Sequence, residues 1–269
     1  VYEDYPARYS ADVSRRYRWT RGDWQLTGWL RRRVPCGCAG DRVHRQKNPL
    51  SALAQWKLFD NLRRSLVPAA LMLVLLGAWA LTPAAGLWTF AVLGILLIPA
   101  LCGTGLDLLR KPDEVLFRQH LAAVAGSALR HFKQVAFELA CLPYTAFYSL
   151  DAIIRTLWRV LVSRKPMLEW NPSSEVDREL ARRDRSGLAA SVQGMWIGPL
   201  IAAGTGLYLA CFVAAALPIA GAILLLWLGS PVIAWWISRP LVRHEAKLSA
   251  EQGIFLRLLA RRTWAFFDR

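Results

Sequence analysis

Two long stretches of the chain, residues 66–106 and 194–237, contain no Asp, Glu, Lys or Arg. Each has room for two helices of about 20 residues, the length that crosses a hydrocarbon core about 30 Å thick. A charge at the centre of such a helix costs about 2.5–3.5 kcal/mol on insertion scales, so membrane segments are expected to be free of charge. The windows predict an all-α membrane protein with two transmembrane hairpins, about four spans.

Proline and small residues divide each window in two, and the hairpins then place the remaining segments on one side of the membrane. The predicted spans are Leu66–Thr82, Gly86–Leu106, Gly194–Ala216 and Leu217–Ile237. The formal charge is +15, and all Lys and Arg lie outside the windows. By the positive-inside rule, both ends of the chain face the cytoplasm. The basic excess therefore predicts a lipid bilayer as partner and no nucleic acid.

Amphipathic helices are predicted between and beside the hairpins, on the cytoplasmic side. Residues 1–48 are the carboxyl-terminal end of a cytoplasmic domain, 49–65 an interfacial helix, and 66–106 the first hairpin. Residues 107–193 form interfacial helices with Trp158 and Trp170 at headgroup depth and a solvated basic cluster at Arg178–Arg185. Residues 194–237 are the second hairpin, and 238–269 contain a helix that begins near Ser249 and leads to a following domain.

The segment Gln134–Leu150 is apolar but contains Glu138 and Pro143. We predict an interfacial or re-entrant course for it. The alternative, a fifth span, would put either the first 65 residues or the basic cluster outside, against the charge bias.

A dense group of basic and aromatic residues, RYRWTRGDWQ, occupies Arg16 to Gln25. It lies in a segment, residues 7–34, whose apolar residues recur every three or four positions and predict a helix. Arginine neutralises a diphosphate through a planar, permanently charged fork, and an indole stacks on the apolar face of a sugar ring. The alternative is a set of interfacial anchors and belt tryptophans.

The order of these residues, from Arg15 to Gln25, resembles the Q-x-x-R-W-x-R-G motif of processive membrane glycosyltransferases such as cellulose synthase. Further similarity covers nearly the whole chain and is closer to cyclic β-1,2-glucan synthases. It includes the segments Tyr5–Tyr9, Asn48–Ser51, Phe59–Leu66, Leu150–Trp158 and Leu168–Trp170.

The resemblance implies a cytoplasmic transferase that extends a glucan from UDP-glucose with a divalent metal, Mg or Mn, and a phosphorylase-like domain downstream. It implies that Arg18 contacts the donor diphosphate and that Trp19 stacks on the acceptor glucan. Arg21 and Gln25 would support this loop, and Asp23 would orient Arg21 or a sugar hydroxyl.

Two departures from the family pattern limit these implications. Arg15 stands where the motif has Gln, so a hydrogen bond from that Gln does not carry over. The resemblance places the donor site, the Asp-x-Asp metal ligands and the catalytic base before Val1. Glu3 and Asp4 lie too close to the motif to match the catalytic base of the family. We therefore expect an internal piece of a larger protein that contains no catalytic residue or cofactor site and is inactive alone.

No metal site is predicted either. Cys36, Cys38 and His44 supply three of the four ligands that a structural zinc requires, and no second pair lies nearby. Two other functions stay open: a transporter or channel module, and a scaffold on the lipid surface. The first is disfavoured because ion pathways usually place ionisable residues inside the spans, and the second leaves the order of the motif unexplained.

Overall fold

A computed structural model of the chain describes residues 8–36, 44–163, 187–239 and 248–267. The first helices are α1 (Tyr9–Gln25), α2 (Ala52–Leu81), α3 (Ala85–Leu109), α4 (Phe117–Ala140) and α5 (Leu142–Trp158). They are followed by α6 (Leu188–Gly194), α7 (Ile197–Phe212), α8 (Leu217–Ile237) and α9 (Ala250–Phe267). A two-stranded antiparallel hairpin joins β1 (Arg33–Cys36) to β2 (His44–Lys47).

Three of these helices are long and apolar enough to cross a membrane: α2, α3, and α8 with the 3₁₀ turn Ala214–Ala216 that precedes it. A fourth crossing is formed if α6 and α7, which meet at 66°, pass through as one bent pair. This confirms the predicted class, an all-α membrane protein with three to four spans.

The third predicted span, Gly194–Ala216, is not one straight helix. The chain breaks between α6 and α7, and α7 itself has only 16 residues. Pro199 accounts for the break, because in a continuous helix its ring would clash with the carbonyl of Met195, four residues earlier.

The first predicted span lies in a longer helix. Helix α2 runs without interruption for 30 residues through Pro68, so most of the predicted interfacial helix at 49–65 is continuous with the predicted span from Leu66. Its start is capped by Ser51, whose hydroxyl accepts a hydrogen bond from the Ala54 N–H at 3.2 Å.

The helix predicted over residues 7–34 ends early. It stops at Gln25, continues as the 3₁₀ turn Leu26–Leu30, and gives way to β1, which pairs with β2. Asn48 holds this corner together, since its side-chain amide donates to the carbonyls of Trp29 at 2.6 Å and Arg31 at 3.0 Å.

The core is built around two buried tryptophans. The rings of Trp79 on α2 and Trp227 on α8 lie 5.6 Å apart, and both side chains are completely buried. The Trp79 indole N–H donates to the Thr89 hydroxyl on α3 at 2.9 Å. A buried indole N–H needs a hydrogen-bond acceptor. The Trp79 side chain therefore fills space in the core and, through this bond, also fixes α3 against α2.

Trp227 also forms a hydrogen bond at the break between α4 and α5. This break lies within the segment Gln134–Leu150, for which an interfacial or re-entrant course was predicted. Pro143 has no N–H, so the carbonyl of Leu139 loses the partner that a continuous helix would give it. The Trp227 indole donates to that carbonyl at 3.0 Å. A span residue thus satisfies the polar group that the proline leaves open.

Helices α7 and α8 approach closely at Gly198. The Trp227 carbonyl has no backbone donor four residues later, because residue 231 is proline. The hydroxyl of Ser230 donates to this carbonyl instead, at 2.8 Å. A Cβ on Gly198 would lie 2.9 Å from that hydroxyl oxygen and 3.4 Å from the Trp227 carbonyl oxygen. The contact therefore requires glycine.

Helix α9 forms a compact unit of its own, separate from residues 1–238. Its start is a capping box, in which the Gln252 N–H donates to the Ser249 hydroxyl at 3.2 Å and the Ser249 N–H donates to the Gln252 side chain at 3.0 Å. Trp158, for which a position at headgroup depth was predicted, is exposed. Trp170, the basic cluster Arg178–Arg185 and the Glu3–Asp4 pair lie outside the described residues.

We predict that Gly198→Ala lowers the thermal stability of the detergent-solubilised chain. The added methyl group must displace the Ser230 hydroxyl or separate α7 from α8, and overpacking of this kind costs about 1–3 kcal/mol. Gly204→Ala, on the same helix but with nothing within 4 Å of the new Cβ, is the matched control. Equal melting temperatures for the two variants would contradict the close contact.

Trp227→Phe is expected to destabilise the chain more than Trp79→Phe. The first change leaves the buried Leu139 carbonyl without its donor, at a cost of about 1–3 kcal/mol. The second change, Trp79→Phe, removes the donor to the Thr89 hydroxyl. That hydroxyl still has a partner, because it donates to the Ala85 carbonyl at 2.8 Å. Thermal melting of both variants in one detergent checks the order, and the reverse order would show that the indole bond at the break is unimportant.

Candidate functional site

The basic aromatic motif lies on α1, whose first residue is attached to the last span. The N–H of Tyr9 donates to the hydroxyl of Ser238 at 3.0 Å, and that hydroxyl donates to the Ala234 carbonyl at 2.7 Å. The first N–H groups of a helix have no partner within the helix. Ser238, directly after α8, supplies one, so α1 begins at the end of a membrane helix.

Aromatic side chains fill the space beneath the start of α1. The Tyr9 ring packs edge-on against Phe137 at 5.0 Å and lies 6.3 Å from the ring of Tyr144. Burial raises the pKa of the Cys141 thiol and of the Tyr144 hydroxyl to about 12. Near neutral pH these groups are therefore protonated and have a packing role.

The middle of α1 is attached to α5 through a carboxylate. The hydroxyl of Tyr17 donates to Asp151 Oδ2 at 2.8 Å, and Arg155 Nε donates to Asp151 Oδ1 at 2.7 Å. Burial, followed by the hydrogen bond and the charge of Asp151, raises the pKa of Tyr17, and the charges of Arg155 and Arg21 oppose that rise. Arg21 thus contributes to the field around this contact.

The end of α1 is attached to α2. The indole N–H of Trp24 donates to the Ser65 hydroxyl at 2.8 Å, and the amide of Asn61 donates to the Asp23 carboxylate at 3.3 Å. Burial raises the pKa of Asp23, while the hydrogen bond from Asn61 and the charge of Arg64 lower it. Asn61 is thus a partner of this carboxylate, for which a role in orienting Arg21 or a sugar hydroxyl was predicted.

Trp19 differs from its neighbours because it is largely uncovered, with 55% of the side chain exposed. The guanidinium carbon of Arg15 lies 4.9 Å from the centre of the indole ring. Arg15 is only 8% exposed, and its Nη2 contacts Asp12 Oδ1 at 2.6 Å. The carboxylate of Asp12 also contacts Arg16 Nε at 2.7 Å, through its other oxygen.

All five predicted site residues lie on α1, but they occupy two well-separated sides of the helix. Arg18, Arg21 and Gln25 follow one another at spacings of three and four, which places them on one side, and all three are partly buried. Trp19 and Asp23 are four residues apart and share a side that lies roughly 150° further round the helix. The exposed indole therefore does not lie beside the row formed by Arg18, Arg21 and Gln25.

Sequence reasoning missed the residues that hold the motif in place. Asp12, Arg15 and Arg16 have the spacing of helical ion pairs, so their contact was recognisable in the sequence. Asp151 and Asn61 are distant in sequence from the residues they bind, and no local pattern points to them.

Within the described residues, no group of three or more His, Cys, Asp or Glu side chains is placed to hold a metal ion. The side chains of Cys36, Cys38 and His44 are not among those described. The side chains of the motif that the structure describes include indole, guanidinium, carboxylate and amide groups.

Comparison with known proteins relates the chain to one segment of a much larger protein. Over 271 residues, which include 99% of the chain, it is 32% identical to the cyclic beta-(1,2)-glucan synthase NdvB of Rhizobium meliloti (strain 1021). The chain spans about 9% of the length of that relative. No protein-family model matches the chain. The comparison confirms the resemblance seen in the sequence.

Tyr17→Phe is predicted to loosen α1 from α5. The change removes one hydrogen bond to an ionised carboxylate, and such bonds contribute about 1.5–3 kcal/mol. Hydrogen exchange of the backbone in α1 should become faster, whereas Tyr208→Phe on α7 should leave it unchanged. Unchanged exchange in the Tyr17 variant would show that the Asp151 bond does not hold the helix.

Proposed function

Because the chain is related to one segment of a cyclic β-1,2-glucan synthase, we propose that it is the membrane-anchoring and acceptor-binding portion of a processive glycosyltransferase. The whole enzyme polymerises glucose from UDP-glucose into cyclic β-1,2-glucan. The observation that best supports the acceptor-binding role is the exposed indole of Trp19, on a helix attached to α8, α5 and α2.

An exposed indole on a fixed helix has the properties that a polymer-binding surface needs. One face of a glucose unit is apolar and stacks on an aromatic ring, and its hydroxyls point to the sides, where polar groups can bind them. Stacking is tolerant of sliding because each glucose unit presents the same face. A processive enzyme requires such tolerance after every addition.

A different side of α1 supplies the groups for the donor in this proposal. Arg18 contacts the diphosphate of the donor, since a guanidinium matches phosphate oxygens in geometry and charge. Arg21 and Gln25 support the same surface. Asp23, whose carboxylate accepts a bond from Asn61, ties this end of the site to α2.

The rest of the polypeptide supplies the reaction. The donor site, a divalent metal that neutralises the leaving diphosphate, and the general base belong to an upstream transferase core, and a phosphorylase-like domain lies downstream. The enzyme lies in the bacterial inner membrane with α1 on the cytoplasmic side, where UDP-glucose is available. Attachment of α1 to the spans keeps the growing glucan at the membrane.

In the parent enzyme, Trp19→Ala should reduce glucan synthesis by at least about fivefold. Loss of stacking costs about 1–3 kcal/mol when the aromatic ring is removed altogether, which corresponds to roughly fivefold to a hundredfold. Trp19→Phe retains a flat ring and should retain a substantial fraction of the activity. The measurement is incorporation of labelled glucose from UDP-glucose by membranes that contain equal amounts of each variant.

The control is Trp88→Ala on α3, which removes another exposed indole. It lies beside the turn at the far end of α2 from Asn61 and Ser65, and we expect normal synthesis. Normal glucan output from the Trp19→Ala enzyme would rule out the acceptor-binding role and favour a purely anchoring segment.

A further inference from the structure

We propose that Arg15 is a positioning residue for Trp19, which fixes the indole in the orientation that binds sugar. The inference rests on the proposed acceptor-binding role of Trp19 and adds a determinant that no motif assigns. The residue is of interest because the related motif has glutamine at this position, whereas this chain has a buried arginine.

Three groups form a chain of contacts along α1. The Asp12 carboxylate holds Nη2 of Arg15 at 2.6 Å, and the guanidinium carbon of Arg15 lies 4.9 Å from the centre of the Trp19 ring. The spacings of three and then four residues place all three side chains on one face of the helix. Asp12 thus fixes the cation, and the cation in turn covers the indole.

Burial strengthens this contact. A cation over an aromatic ring is attracted by the negative face of the ring, and the attraction increases when both groups are removed from water. Arg15 is 8% exposed, so water competes weakly for its guanidinium. Glutamine is shorter and uncharged, and lysine has a charge but no plane to lie against the ring.

Arg15 lies over one face of the Trp19 indole, while the residue as a whole stays 55% exposed. A side chain that is already held in its binding orientation loses less conformational freedom when a ligand binds. Arg15 therefore increases affinity for a stacked sugar without touching it.

Arg16 provides a matched control on the same helix. Its Nε contacts the other oxygen of the same Asp12 carboxylate at 2.7 Å, and its side chain is 54% exposed. Arg15→Gln and Arg16→Gln thus make the same chemical change and each remove one ion pair with Asp12. Arg15 is the member of the pair that lies over Trp19.

The test measures binding of a β-1,2-linked glucose tetrasaccharide to the full chain in nanodiscs of phosphatidylethanolamine and phosphatidylglycerol, by ligand-observed NMR titration. We expect Arg15→Gln to weaken binding roughly threefold to tenfold and Arg16→Gln by less than about twofold. Arg15→Lys should recover part of the loss. Thermal melting of each variant in the same nanodiscs establishes that it is folded.

The outcomes separate the two ideas. If Arg15→Gln and Arg16→Gln weaken binding equally, or if Arg15→Lys binds as poorly as Arg15→Gln, the positioning role of Arg15 is wrong while the role of Trp19 stands. If Arg15→Gln does not fold, the binding of Arg15→Lys is compared with that of Arg16→Lys instead, and equal weakening again shows that the positioning role of Arg15 is wrong. If Trp19→Ala binds as well as the unmodified chain, or the unmodified chain does not bind, the proposed function itself is wrong.

Discussion

The arrangement of the whole site depends on the attachment of α1 to the membrane helices. The start of α1 is bonded to Ser238 after α8, its middle to Asp151 on α5, and its end to Ser65 on α2. These bonds add to the packing of Tyr9 against Phe137 at the start of the helix. They convert a surface segment into a fixed platform, so the position of Trp19 is determined by the spans and not by a loop.

The spans are in turn held by groups that compensate for prolines. Trp227 donates to the carbonyl that Pro143 leaves open, and Ser230 donates to the carbonyl that Pro231 leaves open. In a bilayer, water is not available to satisfy such groups, so each broken helix needs a partner from a neighbour. The same tryptophan that packs against Trp79 therefore also determines where α4 ends and α5 begins.

The sequence predicts the fold class because charge is excluded from hydrocarbon, and this constraint appears in the residues 66–106 and 194–237 themselves. It does not predict the hairpin after α1, which depends on contacts such as those of Asn48. The bend between α6 and α7 was missed although Pro199 marks it in the sequence. The motif likewise identifies Trp19 as a candidate for binding the acceptor, and this stays a prediction. The partners of the motif come from helices distant in sequence, and only the structure brings them together.

The most direct test of the account is to locate the growing glucan during synthesis. A photo-crosslinking amino acid would be placed at position 19 or, for comparison, at position 88, in the parent enzyme supplied with labelled UDP-glucose. The account predicts labelled glucan attached at position 19 and little at position 88. Equal labelling at the two positions, or none at position 19 in an enzyme that still makes polymer, would contradict it.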